Sequence, residues 1–116
     1  MPTRESAQEK KLFETFSGRA IRRGNEVYFD RDLAMQFLDL CDRDDFTVIG
    51  LEGFRITDTT TEPQMAWIAD YSGRLGSGPS AVIRELNNAE ARRFIRSAPE
   101  DLTFNFVVVG GNERAP

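Results

Sequence analysis

The sequence predicts an α+β (or α/β) domain: a single mixed β-sheet of about 4–5 strands packed against 3–4 helices. Three observations predict it. The run Phe46-Thr-Val-Ile-Gly-Leu is nearly continuous in apolar residues and reads as a strand buried on both faces, and the run Leu102-Thr-Phe-Asn-Phe-Val-Val-Val alternates in its first half and is apolar on both faces in its second, which reads as a central or well-covered strand. Between and before them, apolar residues recur at helical spacing, most clearly over 31–43. With 116 residues, 40% hydrophobic and 29% charged, the chain has the size and balance of one globular unit. The whole of 1–116 is therefore expected to be a single domain, with 1–4 and 110–116 as loose termini.

In order along the chain, residues 5–17 predict a short helix with Leu12, Phe13 and Phe16 on one edge, closed by Gly18. Ala20-Ile-Arg-Arg and Glu26-Val-Tyr-Phe, separated by Gly24-Asn25, predict a hairpin. Asp30 is placed to cap the helix over 31–43, whose stripe is Leu33, Ala34, Phe37, Leu38 and Cys41. The strand from Phe46 then meets Glu52-Gly53, which reads either as the tip of a tight hairpin or as a bulge in one long strand ending near Ile56. Thr61, Pro63 and Gln64 fit a capping box, predicting a helix over about 62–72 with Met65, Trp67, Ile68, Ala69 and Tyr71. Gly73–Pro79 reads as a glycine-rich loop, and 80–86 as either strand or helix. Asn87 and Glu90 suggest a fresh cap, giving a helix over 88–98 with Ala91, Phe94, Ile95 and Ala98 buried and Pro99 ending it.

Composition narrows the chemistry. The chain has no histidine, which removes the commonest general base and metal ligand. Lys10 and Lys11 are the only lysines, so Schiff-base and Walker-type phosphate chemistry lack their residue in the body of the domain. The remaining basic groups are arginines, which bind anions but rarely transfer protons. A lone cysteine, Cys41, makes no internal disulfide and belongs to the apolar stripe. The formal net charge of −4 and the lack of a long basic run argue against nucleic acid as a partner. No stretch is apolar enough to span a bilayer, and Met1-Pro-Thr-Arg-Glu-Ser lacks the apolar core of a signal peptide, so the expected location is the cytoplasm. No cofactor and no metal are expected: an all-oxygen site from Asp30, Glu52, Asp58 and Asp70 lacks any calcium-loop spacing, and the Gly73–Ser80 glycines match no phosphate-loop pattern.

The candidate functional residues are mostly carboxylates. Glu52 interrupts the most apolar run between Gly50 and Gly53, and a carboxylate buried there needs a partner, for which Arg55 is close in sequence. Asp39, Asp42, Asp44 and Asp45 crowd the C-terminal end of a helix, where negative charge opposes the helix dipole. That arrangement suits an acidic docking patch. Trp67 and Tyr71, four apart, offer an aromatic anchor, and Asp70 adds charge beside them.

Phe37-Leu-Asp-Leu-Cys, Phe46-Thr-Val-Ile-Gly-Leu-Glu-Gly-Phe-Arg-Ile and Ile68-Ala-Asp-Tyr-Ser together resemble the small immunity-type proteins of bacterial polymorphic toxin systems, over about a third of the chain. That resemblance implies a cytosolic, non-enzymatic protein that binds and neutralises a cognate basic toxin domain through an acidic surface. The partner-binding residues expected on the residue-level reading are Asp39, Asp42, Asp44, Asp45, Glu52, Arg55, Trp67 and Asp70. The alternatives are a small-ligand-binding or regulatory domain, and a small carboxylate-dependent enzyme using Glu52 with an aspartate.

Overall fold

A computed structural model describes residues 7–76 and 80–110. They form three helices and five strands: α1 (Ala7–Glu14), β1 (Ile21–Arg23), β2 (Glu26–Tyr28), α2 (Arg31–Arg43), β3 (Phe46–Ile56), β4 (Thr61–Asp70), α3 (Ala81–Ser97) and β5 (Thr103–Gly110), with a 3-10 turn at Ser72–Arg74. The α+β class is as expected. The expected single mixed sheet is instead a three-stranded sheet and a two-stranded hairpin, and every strand pair runs antiparallel. β3 is central in the order β4-β3-β5, and the β1–β2 hairpin is joined to the far side of β5 by a bridge between Phe29 and Phe104. No helix among the described residues is long and apolar enough to cross a membrane.

α2 forms where the pattern placed it. The Asp30 side chain accepts from the Leu33 amide at 2.9 Å, and Leu33, Ala34, Phe37, Leu38 and Cys41 are all buried. Asp45 follows the helix with φ of +63°, a left-handed stop that an aspartate tolerates better than most residues. The stripe packs on the β3 and β5 face carrying Phe46, Val48, Leu51, Phe104, Phe106 and Val108. Phe29, Phe37 and Phe106 form its aromatic centre, with Phe37 4.7 Å from Phe29 and 4.6 Å from Phe106 between ring centres. α1 adds Leu12, and Phe16 follows it into the same core.

Two further expectations fail, both about single elements. Residues 61–70 are a strand, not a helix. Trp67, Ala69 and Tyr71 recur at intervals of two, and the spacing of four between Trp67 and Tyr71 satisfies one face of a strand as well as one face of a helix. β4 is an edge strand, which is where a proline such as Pro63 is tolerated. Its register against β3 slips by three residues between the pairs Phe54↔Pro63 and Glu52↔Ile68, and Trp67 lies within the slipped segment. Gly53 makes room for it: a Cβ there would stand 3.2 Å from the Trp67 Cβ and 2.9 Å from Leu102 Cδ1. Glu52-Gly53 is therefore not a hairpin tip; it is the irregular point of one long strand.

The second failure is the start of α3. The helix begins at Ala81, capped by the Ser80 hydroxyl accepting from the Ile83 amide, so 80–86 is cap and helix. Asn87 lies inside the helix, with Asn88 beside it, and both are completely buried. The reason is at β3. β4 stops pairing at Gly50↔Asp70, which leaves the β3 edge at Phe46–Val48 without a strand. The two asparagines replace it. Asn88 Oδ1 accepts from the Val48 amide at 2.9 Å, Asn87 donates to the Val48 carbonyl at 2.9 Å, and Asn88 donates to the Phe46 carbonyl at 3.0 Å. A helix thus supplies by side chain the hydrogen bonds that a neighbouring strand would supply by backbone.

Asn88→Ala strands a buried amide and a buried carbonyl, and is expected to lower stability by about 2–4 kcal/mol in urea unfolding. A loss under about 0.5 kcal/mol, within the range of an ordinary surface substitution, would contradict this role.

Candidate functional site

The helices cover one face of the sheet, and strand alternation sends the remaining side chains to the other. Glu52 stands directly between Ile68 of β4 and Asn105 of β5, and Gly50 stands between Asp70 and Val107. These six residues line a groove of about 400 Å³ on the open face. Further along β3, Tyr28 packs edge-on against Phe54 at 5.0 Å. A Cβ on Gly50 would meet Ala69 O and Val107 Cβ at 3.7 Å, an ordinary contact, so packing does not demand glycine there. Its bare backbone leaves the groove floor open.

The walls are apolar and the charges are carboxylates. Ile68 is 41% exposed and Val107 53% exposed, both large for aliphatic residues on a sheet. Glu52 is half-buried, and among the described residues no hydrogen bond or ion pair reaches its carboxylate. Asp70 Oδ1 accepts from the Ser72 hydroxyl at 2.6 Å and from the Ser72 amide at 2.9 Å, and these bonds hold its carboxyl below the usual aspartate range. No cationic side chain lines this groove. Burial raises the Tyr28 phenol, helped by the charges of Glu26 and Glu52.

The other expected residues lie elsewhere. Asp39 and Asp42 both accept from Arg92, at 2.9 and 2.7 Å, and Asp42 also accepts from Asn88 at 2.8 Å. Asp45 pairs with Arg84 at 3.2 Å, and Asp44 with its neighbour Arg43 at 3.0 Å. The acidic end of α2 is thus met by α3 arginines that join the two helices, so much of its charge serves the fold. Arg55, three residues from Glu52 on a strand, faces away from it; Arg55 binds Asp101 and Gln64 instead, each at 2.7 Å. Trp67 is half-buried and packs edge-on against Phe94 at 5.3 Å. Of the eight expected residues, the structure brings only Glu52 and Asp70 into one groove. Cys41 is in the core, where burial pushes its thiol up.

Ile68, Asn105, Val107 and Gly50 complete the groove and were not anticipated. The alternation of Thr103, Asn105 and Val107 against Phe104, Phe106 and Val108 does carry the information, because it marks the outward residues of β5. Ile68 was hidden by the helical reading of its segment. Among the described residues no group of acidic, cysteine or histidine side chains is arranged to hold a metal ion. Residues 77–79 of the glycine-rich segment lie outside the described residues.

No family model matches the chain, and no curated protein or solved structure matches it either.

Ser72→Ala removes the hydroxyl that stabilises the ionised Asp70, so the Asp70 pKa is expected to rise toward the ordinary value near ~3.9. A folded pKa held low contributes stability above the unfolded pKa and loses it as pH falls through the folded one. The carboxyl-carbon NMR titration of wild type and variant measures the shift directly, and superimposable curves would remove Ser72 from the account.

Proposed function

We propose that this chain is a non-enzymatic protein-binding domain, an immunity-type inhibitor acting in the cytoplasm, which receives a basic toxin domain on the open face of its sheet. The observation that carries the proposal is Glu52: a half-buried carboxylate, unpaired among the described residues, in a groove it shares with the exposed aliphatic side chains of Ile68 and Val107. Apolar walls around a carboxylate suit a lysine or arginine, whose methylenes lie against Ile68 and Val107 while its charged end meets Glu52 and Asp70. An ionised hydrogen bond of this kind contributes about 1.5–3 kcal/mol. The groove is the centre of such an interface and not its whole extent, since stable complexes bury about 800 Å² per partner. The lack of histidine in the sequence argues against acid–base turnover at this face.

The acidic end of α2 is a weaker docking surface on this reading, because Arg84 and Arg92 already answer its charge. Affinity capture of the partner from the source lysate separates the two surfaces. Glu52→Gln is expected to weaken the captured complex about tenfold or more, near 1.4 kcal/mol, while Asp39→Asn leaves it unchanged. The reverse pattern, or recovery of free protein alone, would overturn the proposal.

A further inference from the structure

Beside the open face lies a second cleft, of about 530 Å³, between α1 and the β1–β2 hairpin. Its back wall is β5 at Asn105, Phe106 and Val107. Phe104 exchanges both of its backbone hydrogen bonds with Phe29, so its N–H and C=O point away from β3. In an antiparallel ladder that direction repeats every second residue. Phe106 and Val108 therefore aim their backbone donors and acceptors at the same side, beyond the point where β2 has left the edge, and no backbone partner meets them there among the described residues. The Asn105 side chain marks the divergence: its amide donates to Glu26 and to the Val27 carbonyl in place of a continued ladder.

We infer that this recessed β5 edge is a binding site for an extended peptide segment of a partner protein, which adds as a further strand beside Phe106–Val108. It rests on the reading above only in taking a protein as the ligand. A strand edge specifies its occupant, because alternating backbone donors and acceptors are matched along their length only by another extended backbone. The walls specify further. A second copy of this chain carries the same edge at the bottom of its own cleft, so two such edges cannot meet. A single extended segment enters between α1 and the hairpin. Its side chains alternate: one set falls beside Val107, where a cleft lining of Glu9, Glu14 and Glu26 against Lys10 and Arg22 carries an excess of negative charge and favours basic residues. The other set turns toward Phe13 of α1 and favours apolar ones.

The test is amide hydrogen exchange by NMR on the full chain, with a blocked peptide of alternating arginine and valine as the probe. A peptide with proline in place of each valine is the control, equal in charge but unable to complete a ladder. In the free protein the Phe106 and Val108 amides are expected to exchange about 100-fold faster than those of Asn105 and Val107, which face β3. The valine peptide is expected to slow Phe106 and Val108 at least about tenfold, and the proline peptide to leave them fast. Four results would overturn the inference: equal protection of all four amides in the free protein; no slowing with the valine peptide; the same slowing with both peptides; or protection that grows with protein concentration alone, which would mean self-pairing. Repeating the measurement on Glu52→Gln separates this inference from the open-face reading. Slowing that survives the substitution supports the edge site on its own. Loss of partner capture by Glu52→Gln with no slowing by peptide in wild type overturns the edge site and leaves the open face standing.

Discussion

The pair of buried asparagines on α3 is the contact on which the rest of the structure depends. β3 is the central strand of the three-stranded sheet, and among the described residues its first three have a strand on one side only. An unpaired amide and two unpaired carbonyls there would cost several kcal/mol if buried dry. Asn87 and Asn88 remove that cost and, in doing so, fix where α3 lies along the sheet. Arginines extend the same fixation outward. Arg74 donates to Asn87 at 3.1 Å and pairs with Glu90 at 3.0 Å, tying the turn after β4 to α3. Arg92 and Arg84 tie α3 to the acidic end of α2.

One consequence concerns charge. Four aspartates at a helix C-terminus look, in sequence, like a surface reserved for a basic partner. In the fold three of them, Asp39, Asp42 and Asp45, face a helix that brings its own cations, and the unfavourable interaction with the α2 dipole is offset by pairs that hold two helices together. These pairs are exposed on their aspartate sides, with Asp39 75% exposed, so each contributes modestly; their effect is to orient α3 more than to stabilise it. On the opposite side of the sheet, Glu52 and Asp70 share a groove that no cationic side chain lines.

The sequence made α2, β3, β5 and the hairpin legible because each carries a signal with one interpretation: a cap with a 3.6-residue stripe, long apolar runs, or a glycine turn between short strands. β4 was not legible. Its aromatic residues stand four apart, and a threonine, a proline and a glutamine in the right order imitate a helix start. Only the slipped register against β3, a tertiary fact, makes Trp67 face α3 as part of a strand. Asn87 reads as a cap in sequence for a similar reason. Asparagine competes with helical hydrogen bonding and usually sits at caps, so a helix interior is an unexpected place for two in succession. What holds them there is β3, some forty residues earlier in the chain. The same separation explains the groove. Glu52 and Asp70 were each noticeable alone, but their shared face with Asn105 and Val107 follows from strand order, which no local pattern encodes.

The fold therefore has one face sealed by helices and one left open, and the functional claim is that the open face is where a partner sits. The most direct measurement is the hydrogen-exchange footprint of the complex by mass spectrometry. The account predicts added protection across 50–54, 68–70 and 105–107, with the 39–45 stretch unchanged. A footprint centred on 39–45, with the open face exchanging as in the free protein, would contradict it.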